Sequence, residues 1–208
     1  MAQDLKGKKI AILAADGVEQ VEYEKPKSAV EEAGATTELL SLQTGEIQAM
    51  NHDMELGRKI PVDKRVADAS VEDYAALILP GGVLNPDNLR QDEDVIGFLQ
   101  DFFRAGKPVG VICHGPWTLV EADLVRGRTL TSYPSLRTDI RNAGGNVVDE
   151  EVVVDKGLVS SRNPDDLPAF CAKIVEEFAE GEHDVAKAGA TEGDGASSTS
   201  PDAAGVSL

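Results

Sequence analysis

The chain has 208 residues, with 37 Asp and Glu against 20 Lys and Arg for a net charge of −17, and such a surface repels polyanions, which argues against nucleic acid and anionic membranes as partners. Two cysteines are too few for a disulfide framework and fit a reducing compartment. The opening MAQDLKGKKIAILAAD holds an apolar run too short for a signal peptide, and no stretch approaches the ~18 apolar residues that cross a bilayer, so a soluble cytoplasmic protein is expected.

With aromatics at only 4% the core must be built from Val, Leu, Ile and Ala, which suits a parallel sheet covered by helices. Lys9 to Ala14 reads as a buried strand, after which Asp16-Gly17 turns the chain into a helix running to about Ala33, stopped by Gly34. Thr37 to Leu42 reads as a second strand. Gly45 to Ala69 alternates short polar and apolar pieces, as a peripheral hairpin would. Ala75 to Pro80 is an apolar run closed by Gly81-Gly82, the pattern of a central strand ending in a tight loop.

Val95, Ile96, Leu99, Phe102 and Phe103 share one face at helical spacing, and Gly106 ends that helix. Pro108 to Ile112 is a further buried strand that runs straight into Cys113-His114-Gly115-Pro116, with Pro116 suited to a first helical turn. Thr129 to Tyr133 and Pro134 to Ala143 read as strand and helix, and Asn146 to Ser161 as two strands meeting at Asp155-Lys156-Gly157. A last helix carries Leu167, Phe170, Cys171, Ile174, Val175 and Phe178 on one stripe. The alternation predicts an α/β fold: a mostly parallel sheet with helices on both faces, in one domain over residues 1–180. Residues 181–208 are rich in Gly, Ala, Ser and acids and cannot bury enough apolar surface to offset their ordering entropy, so a flexible acidic tail is expected.

In an open parallel sheet, reactive groups collect beyond the carboxyl ends of the strands. Three segments end there: Gly17 to Glu22, Pro80-Gly81-Gly82, and Cys113 to Pro116. A cysteine between a buried strand and a helix sits on a sharp elbow near the positive end of the helix, which favours thiolate. Cys113 has that setting, whereas Cys171 falls on the apolar stripe of the last helix and reads as a core thiol. Backbone N–H groups of Gly82 and His114 are candidate oxyanion donors, and Gly81-Gly82 leaves room for substrate. Adjacent side chains at a sharp turn tend to diverge, so the backbone of His114 is expected to matter more than its imidazole. Glu19 and Glu22 fall in the expected first helical turn, where acids suit the dipole, yet a carboxyl beside the sulfur would be raised in pKa and could carry a proton. His52 in the hairpin and His183 in the tail read as solvated.

The stretches AILAADGVEQVE, ALILPGG, NPDNLR, GKPVGVICHGPW, RGRTLTSYPSL and DEEVVVDKGLVSSRNPDDL, in that order over about residues 9 to 180, closely resemble the PfpI family of intracellular cysteine proteases. That family lies in the superfamily of the parkinsonism-associated protein deglycase, with the class I glutamine amidotransferase-like fold. The resemblance implies a flavodoxin-like three-layer sandwich, Cys113 as nucleophile and His114 as its imidazole partner. It further implies Glu22 as the carboxyl beside the thiol, Tyr133 as a pocket residue, and Asp87 as a carboxylate completing a triad across a subunit interface, hence a homodimer or larger homo-oligomer. Asp87 stands where the familiar protease sequence has a longer Glu.

Two functions follow as expectations. One is a stress-protective hydrolase or lyase acting through Cys113 on peptides, methylglyoxal or glycated amino groups, with no cofactor and no metal. The other is a redox-sensing or chaperone-like protein whose Cys113 is oxidised. A glutamine amidotransferase would need a later His, and none lies between His114 and His183. A flavin carrier would want a phosphate loop where Glu19 and Glu22 stand.

Overall fold

The computed structural model describes residues 4–182. All but Gly181 and Glu182 of the expected tail therefore lie outside the described residues. In chain order the first half runs β1 (Lys9–Leu13), β2 (Val18–Glu19), α1 (Gln20–Glu32), β3 (Thr36–Ser41), β4 (Gly45–Asn51), β5 (Glu55–Val62), β6 (Lys64–Arg65) and β7 (Ala76–Leu79). The second half runs α2 (Leu84–Leu89), α3 (Glu93–Arg104), β8 (Val109–Ile112), α4 (Pro116–Glu121), β9 (Thr129–Leu130), α5 (Arg137–Asn142), β10 (Asn146–Val147), β11 (Val152–Asp155), β12 (Leu158–Ser161) and α6 (Leu167–Glu180).

Seven strands form the central sheet in the order β11-β12-β8-β7-β1-β3-β6. The pairs joining β12, β8, β7, β1, β3 and β6 are all parallel, and only β11 is antiparallel to its neighbour. Side chains of a strand point alternately to opposite faces, and β1 divides accordingly. Ala11 and Leu13 join a core with Leu77, Val109, Phe98, Phe102 and Leu119 beneath α3 and α4. Ile10 and Ile12 join the other with Ile78, Tyr23, Val30, Phe170, Ile174 and Phe178 beneath α1 and α6. These are the two interlayer cores of a three-layer α/β sandwich.

Local chemistry sets the helix ends. The Asp92 side chain caps α3 by accepting from Val95 N at 3.1 Å, and Gly106 leaves it at φ 68°, a backbone region that glycine enters without Cβ strain. Within α3, Val95, Leu99 and Phe102 are completely shielded, and burial of each contributes roughly 1.5–3 kcal/mol. Phe102→Ala is expected to cost about 3–5 kcal/mol through the cavity it leaves.

Three sequence expectations need correction. Thr129 to Tyr133 is strand only at Thr129–Leu130, which pairs with β10 in a small separate sheet; Thr131 N instead donates to Ser160 Oγ, and Pro134 cannot donate to a ladder. Asn146–Val147 accordingly belongs with β9, leaving β11 and β12 alone to meet at the Lys156-Gly157 turn. Glu19 is not in the first helical turn: Val18–Glu19 pairs with Ala49–Met50 of β4, and α1 begins one residue later. Among the described residues no helix is long and apolar enough to cross a membrane.

Candidate active site

β7 and β8 are central neighbours, and the loops leaving their carboxyl ends meet. β8 passes directly into Cys113, whose φ of 61° lies in the left-handed region. That conformation costs a non-glycine residue roughly 1–2 kcal/mol, and the fold holds it from both sides. Cys113 N donates to Ser161 O at 3.1 Å, Tyr133 N donates to Cys113 O at 2.9 Å, and Gly115 N closes the turn on Ile112 O at 2.9 Å.

The facing loop comes equally close. A Cβ on Gly81 would stand 2.6 Å from Glu22 Oε2, 2.7 Å from Cys113 Cβ and 2.9 Å from His114 N, distances that real Cβ atoms do not show. Gly82 has φ 84°, and a Cβ there would lie 2.3 Å from Gly17 O. The backbone groups of Gly82 and His114 hydrogen bond to the Cys113 sulfur and favour its anion. Asn85, fully buried at the start of α2, latches this loop by donating to Pro80 O (2.9 Å) and Gly81 O (3.0 Å) while accepting from Ala15 N (2.7 Å).

Glu22, in the first turn of α1, is completely shielded and accepts from Gly81 N at 2.8 Å. Burial raises its pKa to about 8 against the pull of the Gly81 amide, with the carboxylates of Glu19 and Asp53 adding to the rise. Oε1 of Glu22 has no hydrogen-bond partner. At neutral pH the group carries a proton beside the sulfur.

His114 departs from expectation. Its Nδ1 lies 3.2 Å from Cys113 Sγ and its Nε2 3.1 Å from Ser135 Oγ, so the adjacent side chains converge. The left-handed backbone of Cys113 turns its side chain back toward the imidazole, which stacks on Tyr133 with ring centroids 4.4 Å apart. Burial lowers the pKa of His114, against the field of Asp53, and keeps the ring a neutral base. In the tautomer whose Nδ1 faces the sulfur as acceptor, Nε2–H donates to Ser135 Oγ.

The sulfur itself is shielded. Cys113 is only 5% exposed; burial pushes its pKa up, as does Glu22 when ionised, while the amides of Gly82 and His114 pull it the other way. A protonated Glu22 removes the repulsive charge from beside the sulfur.

Asp87 stays apart. It lies on α2, 48% exposed, 3.9 Å from Arg90, and within one chain the hydrogen bonds of the His114 ring go to Cys113 and Ser135. Glu19, 6% exposed, accepts from Asp53 N at 3.4 Å. The structure thus brings Cys113, His114, Glu22, Glu19, Gly81, Gly82 and Tyr133 together and leaves Asp87 outside. Sequence reading missed Asn85, Asp53 and Ser135; the first and last lie inside NPDNLR and SYPSL, so only Asp53 had no motif to flag it. Among the described residues no group of His, Cys, Asp or Glu side chains is arranged to hold a metal ion.

A family model described as the DJ-1/PfpI family matches residues 8–177. The chain belongs to the DJ-1/PfpI family. One relative, YraA of Bacillus subtilis strain 168, provisionally named a cysteine protease, is 44% identical over 163 residues, covering 78% of this chain and 94% of that protein. Among solved structures, a two-domain Anabaena variabilis protein with DJ-1/ThiJ/PfpI-like and ferritin-like domains superposes with TM-score 0.77 at 32% identity. It matches 82% of this chain, which spans only 48% of that longer one. Drosophila melanogaster DJ-1beta superposes with TM-score 0.75 at 26% identity, over 83% of this chain and 90% of its own.

Proposed function

We propose that this DJ-1/PfpI protein is a cysteine-dependent enzyme acting on small reactive carbonyl compounds of the methylglyoxal type. The observation that carries the reading is the convergence on one sulfur of a neutral imidazole at 3.2 Å, two backbone amides and a protonated buried carboxyl. The shielding of Cys113 favours a small substrate over a peptide chain.

The chemistry follows from the resting protonation states. As the sulfur bonds to the aldehyde carbon, the thiol proton passes to His114 Nδ1 and the carbonyl electron pair moves onto oxygen. The amides of Gly82 and His114 stabilise the negative charge first at sulfur and then at that oxygen. Glu22 gives the oxygen its proton, forming a hemithioacetal; as carboxylate it then takes the proton from the same carbon and returns it to the neighbouring ketone carbon, while the hydroxyl proton passes from the first oxygen to the ketone oxygen. The product is a thioester of a 2-hydroxy acid, with the aldehyde carbon oxidised and the ketone carbon reduced within one molecule. Water then cleaves the C–S bond, and the thiol regains its proton. No external oxidant is required.

The test is methylglyoxal consumption and peptide hydrolysis by wild type and Cys113→Ser. Turnover of methylglyoxal that vanishes in the variant is expected. Turnover retained in Cys113→Ser overturns the role of the sulfur, and peptide hydrolysis without methylglyoxal consumption overturns the substrate class.

A homo-oligomer is part of this proposal. Val83 and Leu84 are 38% and 55% exposed at the start of the helix that carries Asp87, and an apolar, acid-bearing surface of this kind suits a second copy of the chain whose Asp87 would approach His114. A redox role for the same sulfur is favoured by one observation, the unpartnered Oε1 of Glu22. Peroxide attacked by the sulfur would give a sulfenic acid and water, and intact mass after mild peroxide reads it as one added oxygen on Cys113.

A further inference from the structure

The hairpin that the sequence places at the periphery folds back onto the active site. Gly17 N donates to Gln48 O at 2.8 Å, Gln48 N donates to Asp16 Oδ1 at 2.6 Å, and β2 pairs with β4. The tip between β4 and β5 is thereby tied to the loop that carries Glu19 and leads to Glu22. At the tip, His52 and Asp53 both adopt left-handed backbone, φ 53° and 59°, a cost of about 1–2 kcal/mol per residue that Asp bears better than most. The conformation is held by two bonds: Val83 N donates to Asp53 Oδ1 at 2.8 Å, and Asp53 N donates to Glu19 Oε2 at 3.4 Å. Asp53 is the exposed member of the set, whereas Glu19 and Glu22 are buried.

Three carboxyl groups from two segments therefore surround the Cys113 elbow, and Asp53 is the one that reaches solvent. The charged groups acting on His114 and on the Cys113–Glu22 pair are all carboxylates. Arg58 pairs with Glu24, Arg90 with Asp87 and Glu121 over the Trp117 ring, and Arg137 with Asp149, although Nε of Arg137 has no hydrogen-bond partner. An anionic substrate would meet a field of its own sign.

We propose that Asp53 is a specificity-determining residue that makes the entrance acidic, so that the site accepts neutral carbonyl compounds, or carbonyls borne on an amine-containing molecule, and rejects anionic ones such as 2-oxo acids and phosphorylated aldehydes. This rests on Cys113 being the nucleophile, and it deepens that reading by assigning the charge class of its substrate.

The experiment compares iodoacetamide, neutral, with iodoacetate, anionic, as alkylating reagents, reading Cys113 by peptide mass so that Cys171 does not contribute. Relative to 2-mercaptoethanol, wild type is expected to prefer iodoacetamide by about tenfold, and about 0.5 M salt should shrink that preference. Asp53→Asn keeps an acceptor for Val83 N and tolerance of the left-handed backbone while removing the charge, and should lower the preference severalfold. Asp53→Glu should restore most of it. The same order is expected in turnover of methylglyoxal against glyoxylate.

Equal rates with both reagents in wild type overturn the inference and leave the nucleophile intact. A preference that persists in Asp53→Asn, or that ignores salt, assigns Asp53 a holding role only and also overturns it. Failure of both reagents to modify Cys113 overturns the nucleophile reading itself.

Discussion

The two cysteines of this chain show how much of a thiol's chemistry comes from backbone setting and how little from exposure. Cys171 lies mid-helix in α6, half-buried beside Val21, Lys25, Leu167 and Pro168. Burial pushes its thiol up to about 11, with Lys25 pulling the other way. Cys113 is the more shielded of the two and its thiol is pushed up as well. What separates them is the surroundings: Cys113 has an imidazole at 3.2 Å, two amides on the sulfur and a buried carboxyl of raised pKa beside it, whereas among the described residues Lys25 is the charged group that acts on Cys171. A base in contact with the sulfur, and amides that favour its anion, set a reactive thiol apart from an inert one whatever its exposure.

The sharpest way to break this comparison is to exchange the sulfurs' fates. Cys113→Ser should lower methylglyoxal turnover by at least about 1,000-fold, whereas Cys171→Ser should change it less than twofold; parallel steady-state assays read both. Glu22→Gln should lower kcat by roughly 100-fold with little change in KM, since the carboxyl acts as a proton carrier and not as a binding group. Gly81→Ala, whose methyl would press on Glu22, Cys113 and His114 together, should lower kcat and cost about 1–3 kcal/mol by thermal unfolding.

A smaller effect is visible in stability against pH. Glu22 is raised in the folded state from 4.5 to about 8, so its buried neutral form stabilises the fold fully at low pH, and that contribution is lost as pH rises from about 4.5 through 8. Wild type should therefore lose Tm relative to Glu22→Gln over that window and run parallel to it above. Parallel curves throughout would show an ordinary carboxyl.

Much of the fold was legible because β1, β7 and β8 are short apolar runs ended by turn residues, and α3 and α6 show clean helical spacing. The elbow was legible too, since a strand running into Cys113 and Pro116 leaves the sulfur no other place. Other features depend on contacts that no local pattern encodes. Thr131 and Ser132 lose strand character because Ser160, about thirty residues on, takes the Thr131 amide. Asp53 reaches the site only because β2 pairs with β4, a registry of two residues with no hydrophobic signature. The raised pKa of Glu22 follows from burial, which spacing does not measure.

The most direct measurement is limited alkylation with iodoacetamide, following activity and peptide mass on the same samples. Methylglyoxal turnover should fall one-for-one with modification of Cys113, which reacts before the more exposed Cys171 and is protected by substrate. Activity that survives full modification of Cys113, or that is lost while only Cys171 is modified, would contradict the assignment of the reaction to this elbow.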